Sequence, residues 1–163
     1  MVQVVLVAPE IPPNTGNVAR TCAATQTPLH LIDPLGFQLS DRQLKRAGLD
    51  YWPAVDLHRH SSWEAFQQAK SAGRCWCFSV RGDRSYTDIA YTPDDWLVFG
   101  SESRGLPAEL LARYPTVRIP LSGPVRSLNL GSSVAIALFE ALRQQQLECR
   151  VDRSGYSRGS NIQ

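Results

Sequence analysis

Asn17 and Arg20 stand three apart in Pro-Glu-Ile-Pro-Pro-Asn-Thr-Gly-Asn-Val-Ala-Arg, residues 9–20. On a helix that spacing puts an amide and a guanidinium on one face. The segment follows an apolar run and opens a helix, which is where α/β proteins place ligand loops. Pro12 and Pro13 stiffen the approach, Asn14 or Thr15 can cap the helix, and the first turn offers N–H groups and positive dipole to an anion such as a phosphate. A rigid, capped turn without a ligand also explains the prolines and Asn14. It explains less well an Asn and an Arg on one face beside Gly16.

Two further segments have the same placement. Phe-Gly-Ser-Glu-Ser-Arg-Gly-Leu-Pro, residues 99–107, sets Glu102 and Arg104 on a short loop in which Gly100 and Gly105 allow close backbone approach or positive φ. A tight turn with a surface ion pair is an equal reading of this segment alone. In residues 119–130, Pro120, Gly123 and Pro124 hold an extended loop whose unpaired backbone groups could read the edge of a base. Ser127 and Asn129 lie just ahead of a helix, and Asn129 is a natural cap for it. Neither a Gly-x-Gly-x-x-Gly fingerprint nor a phosphate loop with Gly-Lys-Ser/Thr is present.

The remaining reactive side chains point to structure. His58 and His60 lie two apart on one face of an edge-like segment and are expected to be exposed, while His30 falls inside a strand as a structural residue, so no Ser-His-Asp grouping is expected. Cys75 and Cys77 alternate along a strand and face one side. With Cys22 and Cys149 they lack the spacing of a zinc site and read as reduced thiols of a cytoplasmic protein; no metal is expected.

These residues need a frame. Short apolar runs at 2–8, 29–32, 54–57, 75–80, 96–100 and 116–119 read as strands, and helices are expected over 15–25, 40–47, 62–72, 107–112 and 132–147. Their alternation implies an α/β fold with a mostly parallel sheet flanked by helices. One domain is expected over 1–149, with a mobile polar tail at 150–163. At 43% hydrophobic and 20% charged residues, the 163-residue chain has ordinary globular composition, and no apolar run is long enough to span a membrane. Net charge is only +2, yet 15 of the 17 basic residues are arginine. That suits phosphate recognition; codon usage accounts for it equally well. Val-Ala-Ile-Ala-Leu-Phe, residues 134–139, is apolar all round a helix, with Leu130, Val134, Leu138 and Leu142 on one stripe and Ile136 and Phe139 on another. Such a helix needs burial on most sides, and a homodimer interface supplies it.

Taken in order, the three segments resemble motifs 1, 2 and 3 of the SPOUT class of RNA methyltransferases. The likeness is to its SpoU branch, and within that to the small tRNA (cytidine/uridine) 2′-O-methyltransferases of the wobble nucleotide. Leu-Lys-Arg-Ala-Gly-Leu-Asp-Tyr, residues 44–51, is similar to the family too, and the likeness covers residues 2–147. The resemblance implies a C-terminal trefoil knot, an obligate homodimer, and S-adenosyl-L-methionine held around Phe78, Gly100, Ile119, Ser127, Leu128 and Asn129. It puts Arg20 in the catalytic role, with Asn17 positioning ribose or phosphate and Glu102 ordering the loop or pairing with Arg20. Because an arginine almost never gives up its proton, Arg20 is expected to orient the hydroxyl or stabilise the developing oxyanion. Two departures are Phe139, where the family often has tyrosine, and Gly-Ser-Ser at 131–133. The chain begins at its first strand, without the extra N-terminal RNA-binding domain of larger relatives, so the tRNA substrate is expected to meet the dimer surface and its arginines. Two rivals remain at this point: a different tRNA or ribosomal RNA site, and a non-catalytic RNA-binding or assembly factor on the same fold.

Overall fold

The computed structural model describes residues 1–38 and 52–145. The helix expected over 40–47, the stretch 44–51, Cys149 and the tail from 150 lie outside these residues. Within them, seven strands build one parallel sheet: β1 Gln3–Val7, β2 Leu29–Ile32, β3 Leu57–His60, β4 Cys75–Phe78, β5 Arg84–Ser85, β6 Trp96–Phe99 and β7 Thr116–Arg118. Their order across the sheet is β3-β2-β1-β6-β4-β7-β5, with every neighbouring pair parallel. The helices are α1 Pro12–Thr25, α2 Trp63–Ala69, α3 Ala108–Arg113 and α4 Leu130–Gln144.

Side chains alternate across the strands, so the sheet has two cores. Val4, Leu6, Leu29, Leu31, Trp76, Phe78, Leu97, Phe99 and Val117 face α1 and α4. Val5, Val7, Ile32, Cys75, Cys77, Trp96 and Val98 face α2 and α3, through Phe66 and Leu110. This two-sided covering is why the strands read as continuous apolar runs. Cys75 and Cys77 do share a face, and the three described cysteines are buried free thiols. Burial pushes Cys22 and Cys77 up to about 12, so they stay protonated and inert.

Several boundaries differ from the sequence reading. Of the strand expected over 54–57, only Leu57 is strand. Trp52–Ala54 forms a 3-10 turn containing Pro53, and the strand begins at Leu57, paired with Leu29. The two-residue β5 was missed; it is too short to carry a period. Helix α1 starts at Pro12, not Thr15, because proline suits the first helical turn, where an N–H has no partner anyway. The second helix ends at Ala69 where Lys70 turns extended.

The histidines also need correction. His58 is exposed, but His60 is half-buried. Its Nε2 lies 3.0 Å from Nδ1 of the buried His30, whose Nε2 lies 2.9 Å from Oε1 of Gln3. Burial, with the neighbouring His58 and His60, pushes His30 down to about 3. It is therefore a neutral, structural residue, as its place in β2 suggested.

Asp95 anchors the start of β6. Its buried carboxylate accepts from Arg74 Nε at 2.9 Å and Nη2 at 2.7 Å and from the Thr92 N–H at 2.9 Å. Burial alone would raise its pKa; the Arg74 and Thr92 donors more than offset that and hold the carboxyl below its ordinary value. A depressed folded value contributes stability above the unfolded pKa, near 3.9, that is lost as pH falls through the folded one. Asp95→Asn is expected to lower unfolding free energy by about 2 kcal/mol at pH 7, with the gap to wild type closing in acid. Urea unfolding at neutral pH and near pH 3 measures both; equal stability at pH 7 would refute the assignment.

Candidate active site

The strands β1, β6, β4 and β7 are adjacent and parallel, so their carboxyl ends line up. From those ends leave the three segments singled out by sequence, together with the loop after Phe78. Between them opens a cleft of about 790 Å³ lined by all six expected cofactor residues: Phe78, Gly100, Ile119, Ser127, Leu128 and Asn129. Its floor is a stacked pair, Phe78 on Phe99, with ring centroids 4.6 Å apart and planes 16° off parallel. The backbone of residues 120–128 makes no hydrogen bond to another backbone group among the described residues, so its N–H and C=O groups are available to a ligand.

Glu102 binds the first two segments together. Its carboxylate accepts from the Glu10 N–H at 2.7 Å, the Ile11 N–H at 3.2 Å and Asn14 Nδ2 at 3.1 Å. The contact is returned: Glu10 accepts from the Ser103 N–H at 3.1 Å and the Ser103 hydroxyl at 2.7 Å. Of the two roles left open for Glu102, ordering the loop is the one these bonds show. They also correct the expectation for the start of α1. Neither Asn14 nor Thr15 caps it; Ile11 occupies the cap position with no side-chain bond. The anion at this helix end is the protein's own carboxylate.

The chain of bonds continues into the third segment. Asn129 Nδ2 donates to Asn14 Oδ1 at 2.9 Å, and Asn129 Oδ1 accepts from the Gly131 N–H at 2.8 Å and the Ser132 N–H at 3.4 Å. Asn129 is thus the cap of α4, as expected, and also a link to α1. Asn14 is the site residue that sequence reasoning missed. An amide offers a donor and an acceptor, and on the buried side of the first turn it joins a carboxylate to another amide. Its position directly after Pro12-Pro13, inside the helix rather than ahead of it, is the signal that could have identified it.

Asn17 and Arg20 are both exposed on α1, confirming that they share a face, but neither lines the cleft. Asn17 lies against the first turn of α4: a Cβ at Gly131 would stand 3.1 Å from the Cβ of Asn17. The unusual glycine at 131 therefore leaves room for close approach of the two helices. Gly100 has a stricter reason. Its Cβ would sit 2.0 Å from the carbonyl carbon of Gly105, which itself has φ +70°.

The comparisons with known proteins fit this geometry. Residues 1–139 match the SpoU rRNA Methylase family. The chain belongs to that family. A SpoU relative in Burkholderia ambifaria, named tRNA (cytidine(34)-2′-O)-methyltransferase, is 51% identical over 153 residues, covering 91% of this chain and 98% of its own. A solved structure described as "Structural insights into the 2-OH methylation of C/U34 on tRNA" superposes with a TM-score of 0.86 at 57% identity, over 89% of this chain and 96% of its own. An AdoMet-bound rRNA methyltransferase from Sinorhizobium meliloti gives 0.76 at 30% identity, over 87% of this chain and 56% of its own. The parallel sheet flanked by helices is the SpoU architecture.

Glu102→Ala leaves two backbone N–H groups and one amide without their acceptor. The variant is expected to lose about 1–3 kcal/mol of unfolding free energy and to exchange the Glu10 and Ile11 amide hydrogens faster. Unchanged exchange at those two amides would remove the clasp from the account.

Proposed function

We propose that this chain transfers a methyl group from S-adenosylmethionine to the ribose 2′-hydroxyl of the wobble nucleotide, a cytidine or modified uridine, in a tRNA anticodon loop. The carrying observation is the bonded chain Glu102–Asn14–Asn129, which draws the three motif segments around one cleft in a protein 51% identical to a named cytidine-34 2′-O-methyltransferase.

The cleft suits the donor. Phe78, Ile119 and Leu128 offer apolar contact to a flat base, and the free backbone of 120–128 offers edge donors and acceptors. Bound there, the donor supplies a sulfonium-activated methyl group. The protein's part is orientation. Gly100 lets the backbone come close, while Ser127 and Asn129 hold the loop edge at the start of α4. Arg20, outside the cleft lining, acts on the substrate: it orients the 2′-hydroxyl and stabilises its developing negative charge. Asn17 holds the ribose or its phosphate beside it.

The reading includes the SPOUT trefoil knot, a cytoplasmic location in keeping with the buried free thiols, and a homodimer. The dimer is supported by α4. Its stripe Leu130, Val134, Leu138 and Leu142 is buried, whereas Ile136 and Phe139 are 36% and 53% exposed. Phe139, at the place of the family's frequent tyrosine, presents an apolar ring to a second copy. Sedimentation at micromolar concentration is expected to show a dimer that Phe139→Arg weakens; a wild-type monomer would overturn this interface.

The reaction itself is tested by incubating the protein with methyl-labelled donor and total tRNA and mapping the modified nucleoside. Label is expected as a 2′-O-methyl pyrimidine at the wobble position. Arg20→Ala should reduce transfer at least about a hundredfold, the loss typical of one transition-state donor, while donor affinity persists. Label at another RNA site would move the substrate, absence of label in any RNA would favour an assembly factor, and near-wild-type turnover by the variant would reject the role of Arg20.

A further inference from the structure

We propose that Arg81 and Arg104 are the phosphate clamp of the cleft, receiving the backbone phosphates of the RNA strand that carries the reacting ribose. The inference rests on the 2′-O-methylation reading and names how the substrate is held. Both residues line the cleft, and both are exposed.

What singles them out is how their neighbours are used. In the loop after β6, Ser101 accepts from the Arg104 N–H, Glu102 binds the first segment and Ser103 binds Glu10. The bridge between Ser101 and Gly105 closes the turn. Arg104 alone in that turn has no side-chain partner among the described residues. In the loop after β4, Arg118 Nη1 donates to the Gly82 carbonyl at 2.7 Å and the Asp83 carbonyl at 3.2 Å, and Arg84 Nη2 donates to the Asp88 carbonyl at 3.0 Å. Arg81 uses its backbone N–H on Ser79, while its guanidinium bonds to no described residue. Two loops are thus held firmly by their other side chains, and each leaves one guanidinium, on a residue that lines the cleft, unpaired among the described residues. The loops follow adjacent strands whose last residues, Phe78 and Phe99, are stacked, so the two arginines are mounted on one support.

The reaction requires an anion at this place. A ribose 2′-hydroxyl is vicinal to its own 3′-phosphate, so bringing the hydroxyl to a donor in the cleft brings a phosphate to the mouth. Withdrawing that charge from water is unfavourable without a cation, and the planar fork of arginine binds phosphate oxygens two at a time. A net charge of only +2 gives no strong diffuse field to do the same work.

The test uses full-length Arg81→Gln, Arg104→Gln, the double variant, and Arg113→Gln as a control for charge loss outside the cleft lining. Three readouts apply: tRNA affinity across a salt series, steady-state methylation, and binding of S-adenosylhomocysteine. Each cleft substitution is expected to reduce the slope of log affinity against log salt by roughly 0.7, the value per phosphate in a single strand. It should raise KM for tRNA about tenfold, the loss expected for one charge-assisted hydrogen bond, with kcat little changed and S-adenosylhomocysteine affinity unchanged. Arg81→Lys should keep the slope and still lose affinity, which separates a fork from a point charge and covers a glutamine variant that fails to fold.

An unchanged slope, with weakened S-adenosylhomocysteine binding, would overturn the proposal and give the arginines to the donor's carboxylate. An equal loss in Arg113→Gln would also overturn it, as diffuse attraction. Failure of the wild type to methylate any tRNA would reject the reaction instead, and the salt slopes would still decide whether the two arginines hold phosphate.

Discussion

The Glu102 carboxylate is the contact on which the site depends. The segment after β1 turns into α1 through two prolines, which have no N–H to offer. The unpaired N–H groups nearest that turn belong to Glu10 and Ile11, just outside the helix, and a carboxylate from the neighbouring strand end meets both. Charge-assisted bonds of this kind are stronger than neutral ones. The same carboxylate also fixes Asn14, and through it the cap of α4. Three loops from three strands thereby take one arrangement, and the cleft between them has defined walls.

The sheet makes that contact possible. Parallel strands bring the ends of β1, β6, β4 and β7 to one edge, and the two-sided core fixes which side chains remain there. Phe78 and Phe99 end their strands facing α1 and α4, so they form the floor of the cleft rather than part of the opposite core. On that opposite face, buried thiols and the neutral His30 pack beside Phe66 and Trp96 with no part in the chemistry. The helix α4 serves both purposes. Its first turn is tied to the site, one stripe fills the core, and the other stripe stays on the surface.

Much of this was legible in the sequence, for identifiable reasons. Residues 29–32 were placed without error because an apolar tetrapeptide between turn residues has few alternatives. The six cleft-lining positions came from the family resemblance rather than from their own pattern, and the parallel sheet, which gathers the segments that follow its strands at one edge, is what brings them together. The features missed depend on partners remote in the chain. The strand at Leu57–His60 carries polar residues, and its start is set by pairing with β2 rather than by its own pattern. Asn14 looked like a cap because its partners, Glu102 and Asn129, lie 88 and 115 residues away. His60 looked exposed because nothing local shows that the ring of His30, on the neighbouring strand, comes within hydrogen-bond reach of it.

That remoteness has a consequence for how the molecule is made. Contacts spanning about a hundred residues close large loops, and their entropic cost falls due before they return any stabilisation. The clasp between Glu10 and Ser103, with the amide link to Asn129, can therefore close only once the sheet has brought β1 beside β6. Interactions that form late mainly govern how fast a protein unfolds, not how fast it folds. A ligand seated among these loops and bound only by the folded site holds those contacts closed and so acts as a brake on unfolding.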